Sequence, residues 1–268
     1  MSVQDGSYLS TGRPRFQSVR VLFALIMREM TTRYGRSFGG YAWAILEPVG
    51  FIVVLAVAFG LLIKTPALGT SFVLFYASGF IPYHYFMEIS GSTGGAVQVN
   101  RPLMQYPSVT PIDAVIARFL LSLLTLFVVT CLIFGGIFAF VAAPQVIRAK
   151  YFLLSISLGA LLGLGIGTMN TVLFAFVPVW RQIWSIITRP LFIISGIFYT
   201  YDSMPEVIRT ILWYNPLIHV VGYARMGLYP YYGGDYLSWA FPGLIGLGFL
   251  VTGLYLLIRH KSFIIDAK

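Results

Sequence analysis

The sequence predicts an all-α membrane protein with six transmembrane helices, an N-terminal amphipathic helix at the membrane interface, and short re-entrant helices between the fifth and sixth spans. Hydrophobic residues make up 58% of the 268 residues and charged residues only 10%, whereas a soluble domain carries about 25% charged residues. Long apolar runs follow one another along the chain, and the basic residues lie between them or at the chain ends, where they act as topology signals.

The N-terminal region, residues 1–36, is predicted as a cytoplasmic tail followed by an interfacial helix. Residues 1–15 are mostly polar, and apolar residues then recur at helical spacing from Phe16 to Arg36, interrupted by four arginines. A basic amphipathic pattern is typical of a helix that lies on the membrane. The alternative is an ordinary soluble helix. Residues 37–268 form the transmembrane domain in this prediction.

Six apolar runs make up that domain. A helix rises about 1.5 Å per residue, so about 20 residues cross a bilayer core of about 30 Å. Pro48 lies near the start of the first run, and the fifth run is short and contains Arg189 and Pro190. The predicted spans are Tyr41–Ile63, Phe72–Val97, Val115–Val141, Phe152–Val177, Ile183–Phe198 and Trp239–Ile258.

The distribution of basic residues predicts the orientation. Of the 18 lysines and arginines, 13 fall on the side of the N-terminus and five on the other side. Positive charge is enriched on the cytoplasmic side, so we expect both termini to lie in the cytoplasm. The last outer segment, 199–238, is long, rich in tyrosine and broken by Asn-Pro and Gly-Gly pairs. We expect it to form short helices that dip back into the membrane, where irregular backbone is tolerated inside protein or beside water.

Composition and spacing argue against several functional classes. The net charge of +9 suggests nucleic acid in a soluble protein, but here the basic residues form no single face, so no nucleic-acid partner is expected. Cys131 is the single cysteine and the three histidines are far apart, so we predict no disulfide, metal site or catalytic cluster. The first apolar stretch is short and interrupted by charges, so no signal peptide is expected.

A phosphate-binding loop is also missing from the sequence, because no lysine follows a glycine. We therefore predict that the chain is not an enzyme and holds no cofactor, and that any ATP hydrolysis takes place on another chain. The cytoplasmic segment Asn100–Ile112 is the only inner loop large enough to receive force from such a partner. Its three prolines bracket a short helix and stiffen its attachments. The residues alone leave two interpretations open, a coupling helix or a plain connector.

Three stretches carry a family resemblance that covers almost the whole chain. They are RYGRSFGGYAWAILEP at 33–48, NRPLMQYPSVTPID at 100–113, and SGIFY at 195–199 followed by WYNPL at 213–217 and Arg225. In their order and spacing they resemble ABC-2 type permeases of the capsular-polysaccharide and O-antigen export branch. The resemblance favours the coupling helix, whose assigned residues are Asn100, Arg101, Pro102, Leu103, Tyr106, Pro107, Pro111 and Asp113.

The resemblance also implies partners and cargo. It implies a homodimer bound to two copies of a separate ATPase that holds ATP and magnesium, with partners in the periplasm and outer membrane. The implied cargo is capsular polysaccharide, lipid-linked, exported from cytoplasm to periplasm. The alternatives are O-antigen, teichoic acid or another lipid or drug as cargo and, outside this family, an intramembrane glycosyl-lipid enzyme. The scattered acidic residues do not favour that enzyme.

Two groups of side chains are candidate contacts for cargo. Aromatic faces pack on sugar C–H groups while tyrosine hydroxyls hydrogen-bond to sugar hydroxyls, and the alternative is an aromatic belt at the interface. The aromatic candidates for a channel or gate are Tyr83, Tyr85, Phe86, Tyr199, Tyr201 and Tyr232. The candidates for contact with lipid phosphate are Arg28, Arg33 and Arg36, although the topology signal alone explains their charge.

Two further features lie within the spans. Gly159, Gly163 and Gly167 stand four residues apart, which predicts a stripe that allows close packing against another helix of the same chain. Glu88 and Arg189 are charges inside spans, where they are costly and suggest function. They either pair with each other or extend to the inner interface.

Overall fold

The computed structural model describes residues 15–34, 40–106, 109–140 and 147–266, and within these ranges the chain is helical, without a β-strand. The all-α prediction is confirmed. The α-helices are α1 Arg15–Tyr34, α2 Gly40–Leu62, α3 Phe72–Gly94, α4 Ala96–Asn100, α5 Pro111–Phe140, α6 Ala149–Phe176, α7 Trp180–Ile194, α8 Glu206–Trp213, α9 Pro216–Leu228, α10 Ala240–Arg259 and α11 Lys261–Asp266. Two 3-10 helices, Arg101–Gln105 and Tyr201–Ser203, lie between them.

Four helices of the described residues are long and apolar enough to cross a membrane, namely α2, α5, α6 and α10. They coincide with the first, third, fourth and sixth predicted runs, and their limits differ from the predicted ones by a few residues. A helix, α1, is present where the interfacial helix is predicted, and its position at the membrane interface stays a prediction. The outer segment forms short helices, with Asn215 capping α9 by accepting a hydrogen bond from the Leu217 N–H at 3.0 Å.

The second and fifth runs end earlier than predicted. We predict a limit at Val97 for the second run, but α3 stops at Gly94, and the Gly95 N–H folds back onto the Gly91 carbonyl. The fifth run is predicted to reach Phe198, whereas α7 stops at Ile194. The helix ends there because Gly196 adopts a φ of 82°, a left-handed conformation. At 15 residues, α7 is only about 22 Å long.

Helix α6 lies at the centre of the fold and packs against α3, α9 and α10. Helix α3 is covered by protein along most of its length: Phe75, Tyr85 and Ile89 are each no more than 1% exposed. Burial inside protein explains why α3 carries hydroxyl groups and glycines that would suit lipid poorly. Only three α2 residues are buried, so α2 lies at the periphery of the chain.

The predicted glycine stripe of α6 is confirmed as the contact with α3. A Cβ atom at each of the three glycines would lie under 3 Å from a carbonyl oxygen of α3, closer than real Cβ atoms approach. The pairs are Gly159 with Pro82 at 2.9 Å, Gly163 with Phe86 at 2.9 Å, and Gly167 with Ser90 at 2.8 Å. The two backbones therefore touch over three successive turns, as small-residue stripes permit.

We expect Gly163→Ala to destabilise the chain by about 1–3 kcal/mol, because the new methyl group overlaps the α3 backbone and forces the helices apart. Thermal unfolding of the purified protein in detergent measures this effect. Gly248→Ala on α10 is the matched control, since nothing lies within 4 Å of its added Cβ. Equal stability of the two variants would contradict the contact.

Candidate functional site

The predicted coupling segment begins at Asn100, the last residue of α4, and continues as the 3-10 helix Arg101–Gln105. Pro102 stands in the first turn, where its missing N–H is not needed. Met104 is buried, whereas the Tyr106 side chain is 63% exposed. A short helix at this position is confirmed, with Met104 packed on the protein and the Tyr106 side chain beside it exposed. Pro107 lies outside the described residues.

Asn100, which precedes this 3-10 helix, is buried and tied to α1. Its Nδ2 donates to Glu29 Oε1 at 2.6 Å, and its Oδ1 accepts from Arg28 Nη1 at 3.0 Å. Both bonds join residues more than 70 positions apart in sequence. They hold the coupling segment directly against the N-terminal helix.

Glu29 also forms an ion pair with Arg118 near the start of α5. The guanidinium donates to both carboxylate oxygens, Nε to Oε1 at 3.0 Å and Nη2 to Oε2 at 3.1 Å, and its Nη1 donates to the Ser92 carbonyl at 3.0 Å. The Glu29 side chain is 3% exposed and that of Arg118 is 15% exposed. A carboxylate removed from water is costly unless it is paired and hydrogen-bonded, and this two-pronged geometry supplies both.

We call Arg28, Glu29, Asn100 and Arg118 the Glu29 network. It joins α1, α4 and α5, and through the Ser92 carbonyl it reaches α3. The 3-10 helix that follows Asn100 is therefore attached to these helices by buried hydrogen bonds. Sequence spacing does not reveal this set, because Glu29 and Arg118 lie 89 residues apart. Two features of the sequence could have indicated the ion pair: Glu29 is the one carboxylate within α1, and Arg118 lies in the first turns of the third predicted span.

The structure describes the three arginines predicted to contact lipid phosphate to different extents. Arg28 donates to Asn100 within the Glu29 network. The Arg33 side chain and the whole of Arg36 lie outside the described residues. Phosphate contact stays a prediction for all three, and for Arg28 the observed partner is inside the protein.

Asp113, which we assign to the coupling segment, caps α5. Its Oδ2 accepts from the Thr110 N–H at 2.8 Å and from Thr110 Oγ1 at 2.6 Å, and its own N–H donates to that hydroxyl at 3.2 Å. This reciprocal arrangement resembles a capping box and satisfies polar groups at the helix start. Pro111 occupies the first turn of α5. The cap fixes the direction in which α5 leaves the coupling segment.

The three aromatic candidates on α3 are buried in the chain: Tyr83, Tyr85 and Phe86 are 6%, 0% and 2% exposed. The Tyr85 hydroxyl accepts from Thr130 Oγ1 of α5 at 3.2 Å. The Tyr83 ring meets that of Phe192 on α7 with centroids 5.3 Å apart. Their observed contacts pack α3 against α5 and α7, and their assignment to a channel stays a prediction.

The outer tyrosines predicted as gate residues lie together. Tyr201 stacks on Tyr236 with ring centroids 3.9 Å apart, and the hydroxyls of Tyr232 and Tyr236 lie 2.8 Å apart. The Tyr199 carbonyl accepts a hydrogen bond from Arg225 at 2.5 Å. Burial raises the pKa of Tyr232, so its hydroxyl stays protonated and can donate. We call Tyr199, Tyr201, Tyr232 and Tyr236 the outer tyrosine cluster.

A cavity of about 250 Å³ opens between α2, α3 and α5. Its lining mixes an indole ring, carboxylates, an imidazole and hydroxyls, and includes Trp43, Glu47, His84, Glu88, Ser122 and Thr125. Ser122 Oγ donates to Glu88 Oε1 at 3.4 Å. Polar and charged groups among apolar helices are costly and mark functional positions. Arg189 is exposed on α7, and its pairing with Glu88 stays a prediction.

Comparisons with known proteins identify relatives along almost the whole chain. Residues 20–229 match the ABC-2 type transporter family. The chain is 34% identical to the polysialic acid transport protein KpsM of Escherichia coli, over 87% of this chain and 90% of that protein. It is 26% identical to the capsule polysaccharide export inner-membrane proteins CtrC of Neisseria meningitidis and BexB of Haemophilus influenzae, in each case over 91% of both chains.

We expect Glu29→Gln to destabilise the chain by about 3–5 kcal/mol, because it leaves the Arg118 guanidinium without its counter-charge in a buried position. The double variant Glu29→Gln with Arg118→Gln should lose less than the sum of the single losses, since neither charge is then left alone. Thermal unfolding in detergent measures all three. Arg20→Gln, exposed on the same helix, is the control, and additive losses would refute the coupling.

Proposed function

Since the chain belongs to the ABC-2 type transporter family, we propose that it is the transmembrane permease subunit of an ATP-driven exporter that moves capsular polysaccharide from cytoplasm to periplasm. The observation that carries the proposal is similarity, over about nine-tenths of the chain, to proteins named for the export of capsule polysaccharide or polysialic acid. Those names favour capsular cargo over O-antigen, teichoic acid or another lipid or drug. Membership of a transporter family argues against the alternative that the chain is an intramembrane glycosyl-lipid enzyme.

In the proposed topology the chain crosses the bacterial inner membrane six times, with both termini in the cytoplasm. Helices α3 and α7 complete the set begun by the four long apolar helices. The 23 residues of α3 give a length of about 35 Å, and its polar groups face protein. The 15-residue α7 is short for a span, and its neighbours α8 and α9 re-enter the membrane from the outer side. The 13-to-5 distribution of basic residues supports this orientation.

The motor of the proposed exporter is a separate ATPase, present in two copies, that binds ATP and magnesium. The permease forms a homodimer, and each copy offers its 3-10 helix Arg101–Gln105 with the exposed Tyr106 ring to one ATPase. Movement of that helix reaches α1 and α5 through the Glu29 network, since Asn100 belongs to the network and directly precedes the helix. The buried bonds of the network support this route, because they leave little freedom for the coupling segment to move alone.

Cargo in this proposal is a lipid-linked polysaccharide that passes to export partners in the periplasm and outer membrane. The cavity between α2, α3 and α5 has the chemistry of a sugar contact. The Trp43 ring offers an apolar face, and the carboxylates of Glu47 and Glu88 accept hydrogen bonds from hydroxyl groups. A neutral, hydroxyl-rich part of the cargo fits this lining better than a phosphate, because two carboxylates repel an anion.

The coupling role predicts that Tyr106→Ala lowers recovery of the ATPase with the permease by about tenfold or more, as truncation of an exposed anchor does. Surface polysaccharide should fall with it in cells whose own capsule permease is deleted and replaced by this chain. Co-purification and polymer immunoblotting measure the two effects. Tyr231→Ala is the control, because Tyr231 is fully exposed in the outer segment. Unchanged co-purification refutes this docking site, and no export by the wild-type chain refutes the function.

The cavity predicts a second effect on export. Trp43→Ala should reduce the export rate about two- to tenfold, the equivalent of the ~0.5–1.5 kcal/mol of an aromatic contact, while Trp43→Phe keeps most of it. Pulse labelling of surface polymer measures the rate, normalised to membrane abundance. Leu46→Ala on the same helix is the control, since Leu46 is 55% exposed and does not line the cavity. Equal rates for Trp43→Ala and Leu46→Ala would remove the cavity from the cargo path.

A further inference from the structure

Arg225 on α9 is a cation enclosed in the outer part of the protein. It is 1% exposed, which makes it the largest fully buried side chain among the described residues. A buried charge is costly unless hydrogen bonds and nearby charges compensate it. Within the described part of the chain no carboxylate lies within 4 Å of its guanidinium. Its compensation comes from other groups.

Two backbone carbonyls and one aromatic ring hold the guanidinium. Nη1 donates to the Tyr199 carbonyl at 2.5 Å, and Nη2 donates to the Ile197 carbonyl at 3.0 Å. The guanidinium carbon lies 4.5 Å from the centroid of the Phe75 ring on α3, a cation–π contact. One side chain thus fastens the connection between α7 and the second 3-10 helix to both α3 and α9.

The backbone of the connection between α7 and the second 3-10 helix turns so that it lies against α3. It turns at Gly196 and then packs closely on Gly79 of α3, where a Cβ atom would lie 3.1 Å from Ile197 Cα and 3.3 Å from Arg225 Nη2. Ile197 and Thr200 are 0% and 7% exposed. The connection is therefore packed between α3 and α9, and a side chain at Gly79 would force its neighbours to shift by a few tenths of an ångström.

We propose that Arg225 is a positioning residue that acts as a latch: its guanidinium clamps the Ile197–Tyr199 backbone onto α3 and α9, and its release lets the outer segment separate. The clamp itself rests on geometry alone. The further statement, that this release accompanies the passage of cargo, rests on the proposed function. Opening at this point also separates Tyr199 from the other members of the outer tyrosine cluster.

The chemistry of the clamp requires arginine. A guanidinium directs two N–H groups at two carbonyls at once, whereas a lysine ammonium is a compact point charge. The Arg225 Nε has no hydrogen-bond partner among the described residues. The buried cation is thus incompletely satisfied, which raises the free energy of the clamped state.

The test measures how easily the connection opens. Thr200→Cys is a small reporter in the clamped segment, made in a Cys131→Ala background because Cys131 is the only cysteine and is exposed. The full chain is purified into lipid nanodiscs, and the rate of modification by a polar maleimide is followed by mass spectrometry. Arg225→Met and Arg225→Lys should each raise the rate about tenfold or more, since local opening sets the reactivity of a buried group.

Two controls separate a latch from a general loss of stability. Ala117→Cys on α5 is 1% exposed, and its modification should not change in the Arg225 variants. Gly79→Ala keeps Arg225 but displaces the connection, so it should also speed modification of Thr200→Cys, and it serves if the Arg225 variants fail to fold. An unchanged rate at Thr200→Cys, or an equal rise at Ala117→Cys, overturns the latch. Neither outcome depends on whether the complex exports polysaccharide.

Discussion

The ion pair between Glu29 and Arg118 is the constraint on which the arrangement of α1, α4 and the start of α5 depends. Its two charges are buried, so neither can move away from the other without a large loss of free energy. Asn100, the first residue of the coupling segment, binds the same carboxylate, and the 3-10 helix starts at the next residue. The position of that segment is therefore set by the N-terminal helix and by α5, rather than by its own short helix. Helix formation alone does not stabilise so short a segment.

The region around Arg225 compensates its buried charge in a different way. Arg225 is compensated by carbonyl oxygens and a ring, and no described carboxylate joins it. Separating the two charges of a buried ion pair is costly, so the helices that an ion pair joins move together. In the proposed latch, a cation held by carbonyl oxygens and a ring suits a contact that opens and closes, because the closed state already leaves a hydrogen bond unmade. The two ends of the molecule thus differ in how reversible their contacts are.

Much of the fold follows from the sequence, because apolar runs and glycine spacing are local signals. The four long apolar helices, the all-α class, α1 and the α6 glycine stripe all belong to this group. Helix limits at Gly94 and Ile194 depend on backbone conformation at single glycines and were placed too late. The Glu29 network and the outer tyrosine cluster join residues that are far apart in sequence or lie in irregular backbone. No periodic pattern marks them, so only the individual residues, not their contacts, are predictable.

The direct contact of α3 and α6 through glycines has a consequence for how such a protein diversifies. At three glycines of α6 a Cβ atom would lie under 3 Å from the α3 backbone, so a larger residue at these positions has no space without displacing a helix. Helix α2 has the opposite character, since only Pro48, Ile52 and Ala56 are buried along it. Substitutions on its outward face leave the interior untouched. We therefore expect α2 to accept substitutions that the α3–α6 contact does not, so that the outward surface of the chain can change while its interior stays folded.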